Sequence, residues 1–179
     1  MNIPFVEGKL NVLRNIEEFP WESLILNTQK YGQSIYLVFG NVLPVDLRTV
    51  HVLLKRMKIK STIKIRRGFT YYALLEIIQS LKNYYDMVIV FHDPVSYSDL
   101  KKEEKFVLLN SLLISLTKYA EDFDSIAIFV HDGEFNYRGP YNRIDMEFIG
   151  IGWKIRSNSS EIFIYHDPRQ TSLEYFMEV

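Results

Sequence analysis

Three apolar pentapeptides, Ile35-Tyr36-Leu37-Val38-Phe39, Met87-Val88-Ile89-Val90-Phe91 and Ile126-Ala127-Ile128-Phe129-Val130, show no alternation with polar residues. A strand that is apolar on both sides is buried on both sides, the condition of strands in a parallel sheet covered by helices. The segments between them are amphipathic. Leu47 to Met57 is helical, and a short β-branched run, Thr62-Ile63-Lys64-Ile65, follows until Gly68 breaks it. Thr70 is suited to cap a helix with Tyr71, Leu74, Leu75, Ile78 and Leu81 on one face. Ser98 or Asp99 opens the longest helix, with Phe106, Leu109, Leu112, Leu113, Leu116 and Tyr119 facing inward. This alternation predicts an α/β fold with a mainly parallel sheet and helices on both faces.

The ends of the chain read differently. Residues 1–34 look irregular or weakly helical, with a short helix from Trp21 to Leu26. Met146 to Arg156 and Glu161 to Tyr165 flank Ser157-Asn158-Ser159-Ser160 and predict an antiparallel C-terminal hairpin, with a last short strand from Tyr175 to Val179. Nothing in the composition marks a linker, so residues 1–179 are expected to form one domain. An apolar fraction of 47%, with 12 Tyr and 12 Phe, is enough for its core. The absence of cysteine excludes disulfides and thiolate metal sites. No stretch reaches the ~18 apolar residues of a membrane span, and no signal segment is visible, so a cytoplasmic protein without a membrane partner is expected.

The first apolar run leads into Gly40, and the helix begins seven residues later. Strand, eight-residue loop and helix form the frame of a phosphate-binding P-loop, whose pattern is G-x-x-x-x-G-K-[ST]. Here Gly40 keeps the first glycine, but Val45 replaces the second, Asp46 stands where lysine would meet phosphate, and Leu47 replaces the magnesium-binding hydroxyl. Pro44 also removes one backbone N–H from the cradle. The loop reads as a degenerate nucleotide site, with no cofactor and no catalytic residue expected.

This order of parts resembles the ATPase core of the RecA superfamily, above all the archaeal RadA recombinases and their paralogues. Ile65 to Leu75 is similar to the strand and helix before the family's second nucleotide motif. Met87 to Asp93, the long helix and Ile126 to His131 resemble the Walker B strand, its helix and the next core strand. Ile162 to Pro168, with Glu174 to Val179, resembles the closing hairpin and last strand. The family's water-activating glutamate has no counterpart, its Walker B aspartate falls at His92 or Asp93, and no Phe-x-x-Ala polymerisation tetrad occurs. The resemblance therefore implies a RecA-like fold without ATP hydrolysis. Its expected role is that of an accessory paralogue in DNA recombination and repair, partnered by a recombinase or another paralogue and by single-stranded DNA.

Three features bear on what such a protein does. Lys55, Arg56, Lys58, Lys60, Lys64, Arg66 and Arg67 place seven of the chain's 21 basic residues in one short stretch with no acid among them. Such a cluster suits phosphate neutralisation, and equally an acidic partner surface or a solvated helix end. The stretch from Gly133 to Arg143 resembles the family's mobile DNA-contacting loop, with Arg138 and Arg143 for phosphates and Phe135, Tyr137 and Tyr141 for bases. The plainer reading is a loop whose aromatics lie back on the core. Finally, three apolar runs end in His92-Asp93, His131-Asp132 and His166-Asp167. Imidazole beside carboxylate suits a divalent metal, so a metal-dependent phosphoesterase is a rival reading and turn punctuation the bland one. A further alternative is a subunit that only scaffolds a catalytic paralogue.

Overall fold

In the computed structural model the three apolar runs lie side by side as β2 (Ile35–Phe39), β4 (Met87–His92) and β5 (Ile126–His131). The structure describes residues 5–15, 19–93, 100–132, 135–150, 152–157 and 161–165. Among them a sheet runs in the order β3-β2-β4-β5-β1-β6-β7-β8, with β1 Lys9–Arg14, β3 Ile63–Arg67, β6 Asn142–Ile149, β7 Gly152–Arg156 and β8 Glu161–Tyr165. Pairing is parallel from β3 through β6 and antiparallel for β6–β7 and β7–β8. The expected α/β class, helices on both faces and antiparallel C-terminal hairpin are therefore all present.

The helices divide as right-handed crossovers require. Helices α1 (Trp21–Lys30) and α2 (Leu47–Arg56) follow connections that move toward the β3 edge. They pack on Leu13, Ile35, Leu37, Ile89 and Ile128. Helices α3 (Tyr71–Gln79) and α4 (Lys102–Phe123) follow connections that move back, and they pack on the other face, against Tyr36, Val38, Val90 and Phe129. Thr70 caps α3 as its sequence suggests, its hydroxyl accepting from the Ala73 N–H at 3.1 Å. No helix among the described residues is long and apolar enough to cross a membrane.

Four readings need correction. Residues 9–14, read as irregular, form β1, which sits between β5 and β6. The stretch from Met146 to Arg156 is two strands, separated by a turn that includes Gly150 at φ 60°, and its first strand begins at Asn142. The short helix from Trp21 extends to Lys30. On α4, Leu112, Leu113, Leu116 and Tyr119 face inward, but Phe106 is exposed. The described helix begins at Lys102, while Ser98 and Asp99 lie outside the described residues, as do His166, Asp167 and the strand expected at Tyr175 to Val179.

Asn11 explains how β1 holds its place. Its Nδ2 donates to the Ala127 carbonyl on β5 at 3.1 Å, and its Oδ1 accepts from Asn142 Nδ2 on β6 at 2.8 Å. Both amides are buried. A buried amide is costly unless it is bonded, so this pair fixes the register of β1 against both neighbours.

Candidate functional site

The loop after β2 has filled its own anion site. Asp46 is the N-cap of α2, and its Oδ1 accepts from the N–H groups of Arg48 at 3.0 Å and Thr49 at 3.1 Å. Its Oδ2 accepts from the Thr49 hydroxyl at 2.7 Å. Those hydrogen bonds, Thr49's first, hold the Asp46 carboxyl below its ordinary range, so the helix N-terminus carries a fixed negative charge of its own. These are the N–H groups that a phosphate would need. Gly40 and Asn41 are tied down too, their carbonyls accepting from Arg67 Nε at 3.0 Å and Nη2 at 3.3 Å. Val45 is buried in the α1–α2 core and Leu47 packs against that core, so neither position offers a polar group. Strand and helix also follow one another at β1 and α1, where the sequence between them, residues 15–20, reads Asn-Ile-Glu-Glu-Phe-Pro and contains neither glycine nor lysine.

The carboxyl ends of β1, β4 and β5 are where an open α/β sheet offers a crevice. His92 and His131 are register neighbours there and point to the α3–α4 face. His92 is buried, and its Nε2 is hydrogen-bonded to the Tyr71 hydroxyl at the start of α3. Burial, helped by the neighbouring His131 and opposed by Asp93, lowers the His92 pKa to about 4, while burial raises the Tyr71 pKa to about 12. At neutral pH both partners are therefore uncharged. His131 stacks on Phe135, with ring centroids 4.7 Å apart.

The four candidate metal ligands do not converge. His92, Asp93 and Asp132 line a crevice of about 240 Å³, whereas His131 lines a separate cleft of about 770 Å³ beside Arg14 and Arg143. Among the described residues no group of three or more His, Asp or Glu side chains is arranged to hold a metal ion. His51 lies exposed on α2.

The loop beyond β5 follows its plainer reading. Phe135, Tyr137 and Tyr141 are half-buried and pack against the α3–α4 core and one another. Tyr137 also lies over Gly139, where an added Cβ would fall 2.2 Å from its hydroxyl. Arg138 is exposed. Arg143 pairs with Asp145 at 2.9 Å, both largely exposed, so its charge is locally offset.

The basic cluster lies at the opposite rim of the sheet. Lys55 and Arg56 end α2, Lys58 and Lys60 lie in the connection, and Lys64, Arg66 and Arg67 lie on β3, the edge strand. All seven are exposed, and none joins an ion pair among the described residues. Arg67 is the one already committed, bonded to the β2–α2 loop and stacked 4.4 Å from the centroid of the Phe69 ring.

Sequence reasoning grouped the seven cations correctly as neighbours, because they are contiguous. It missed Asn11, Asn142 and Tyr71, whose roles depend on partners 21 to 131 residues away. Compared with known proteins, the chain matches no family model and no curated sequence.

Proposed function

We propose that this chain is a non-catalytic paralogue of RecA-type ATPase cores that works by binding: to DNA through its basic rim, and to a recombinase or a recombinase paralogue that keeps the ATP chemistry. The observation that carries this reading is the state of the α2 N-terminus, where Asp46 occupies the N–H groups that would cradle phosphate. A carboxylate there repels a triphosphate and takes two of the N–H donors it would need. The strand-loop-helix units, the mainly parallel sheet and the exposed rim, whose cations join no ion pair among the described residues, support the rest.

Thermal melting with and without Mg-ATP, together with phosphate release, tests it. The expected result is no shift in melting temperature and no hydrolysis. A clear ATP-induced rise would overturn the non-catalytic part. Affinity purification from nuclease-treated source cells tests the partner: recovery of a recombinase or paralogue is expected, and a chain that comes out alone would sink that part of the reading.

A further inference from the structure

The rim carries its cations on both sides of the sheet edge. Lys64 and Arg66 stand opposite Tyr36 and Val38, which belong to the α3–α4 core, so they project from that face of β3. Lys55 and Arg56 close α2, which covers the other face, and Lys58 and Lys60 bridge the two. The stretch from Lys55 to Arg67 contains no aromatic residue. The nearest exposed ring in the sequence, Phe69, has the Arg67 guanidinium over it, and the aromatics beyond β5 lie on the core. Single-strand binding relies on a charged groove lined with stacking rings. Residues 55–67 supply no such ring.

Two observations separate it from an ordinary solvated edge. Basic residues on an edge strand discourage edge-to-edge pairing, but that accounts for Lys64, Arg66 and Arg67 only. Lys55, Arg56, Lys58 and Lys60 lie off the strand. Second, Lys58 adopts φ 57°, with its N–H bonded to the Lys55 carbonyl and the Ile59 N–H to the Leu54 carbonyl. This is a Schellman helix end, in which glycine is the favoured residue at the left-handed position. The chain keeps a cation where glycine would be less strained.

We infer that this rim seats in a groove of duplex DNA, with cations on its two sides meeting the phosphates of the two strands, and that it discriminates against single strands. The inference rests on the DNA-binding part of the proposed function and specifies the form of DNA. A B-form major groove about 12 Å wide admits a β-ribbon or a helix, and the phosphate contacts would carry no sequence preference.

Fluorescence anisotropy of the full chain with a labelled duplex, and with one of its strands alone, tests this over a range of salt. The duplex is expected to bind at least about tenfold more tightly, with a log–log salt slope of about −4 to −5 if most of the free cations engage. Lys64→Glu with Arg66→Glu, and separately Lys55→Glu with Arg56→Glu, should each weaken binding by about tenfold or more, with an unchanged melting temperature. If a reversal variant melts early, the matching glutamine variant replaces it. Equal or tighter binding of the single strand would overturn the duplex preference, and sensitivity to one pair alone would overturn the two-sided seating. Competition by polyglutamate as strong as by duplex would point instead to an acidic protein surface. Failure to bind either nucleic acid would remove the DNA-binding reading itself.

Discussion

The crevice at the ends of β4 and β5 and the rim around β3 hold most of the chain's candidate chemistry, and they hold it in opposite ways. At the crevice His92 is buried against Tyr71 beside His131, and burial keeps it neutral. At the rim six cations face solvent with no carboxylate partner among the described residues, and the seventh, Arg67, is spent on a loop. A buried neutral histidine is held by packing, whereas solvent-facing cations are available to an anionic partner. The proposed binding role draws on the rim, and the buried histidine contributes to the fold.

The largest test of that contrast is pH. The unfolded chain binds a proton at His92 near its ordinary value of 6.5, and the folded chain only near 4. The contribution is therefore complete above pH 6.5 and is lost as pH falls toward 4, a loss of at most about 3 kcal/mol. Denaturant melts at pH 7.5 and pH 4.5 should show it, and His92→Gln should flatten it. A crevice histidine open to solvent would show no such loss.

Tyr71→Phe comes next. It removes the hydroxyl bonded to His92 Nε2 and should cost about 1–2 kcal/mol by denaturant melting, while leaving DNA affinity unchanged. Arg67→Ala sharpens the boundary within the rim. Loss of its hydrogen bonds to Gly40 and Asn41 should cost about 1 kcal/mol, with DNA affinity within about twofold, unlike its neighbours Lys64 and Arg66. Lys58→Gly is the smallest and runs the other way. It should raise stability by about 0.5–1 kcal/mol and flatten the salt slope of DNA binding by about one.

The parts of this architecture legible in the sequence were those that depend on neighbours along the chain. Val88 to Val90 and Ala127 to Val130 declare themselves as buried strands by unbroken apolarity, and Lys55 to Arg67 declares a charged surface by contiguity. Residues 9–14 did not, because Asn11 interrupts a short apolar run and reads as a loop residue. Its amide is tolerated only because β5 and β6 supply its partners. The merged strand at 146–156 has a similar cause: Phe148, Ile149 and Trp153 are apolar on both sides of the turn that includes Gly150. On α4, apolar residues occupy more than one face, so periodicity alone could not place Phe106 outside. The candidate site was legible in composition but not in geometry. That Asp46 caps its own helix, or that Arg67 spans from β3 to Gly40, follows only from three-dimensional proximity.

The position of β1 has a consequence for how the molecule is made. Its two neighbours begin at Ile126 and Asn142, so a nascent chain carries β1 with neither side paired until those strands have been synthesised. At roughly 5–20 residues per second this is a wait of many seconds, and contacts of such long separation close slowly even afterwards. Among the described strands, β1 precedes both of its partners in the chain and is paired only after they have been made. During synthesis its apolar Leu10, Val12 and Leu13, buried in the finished fold, therefore wait uncovered for those partners.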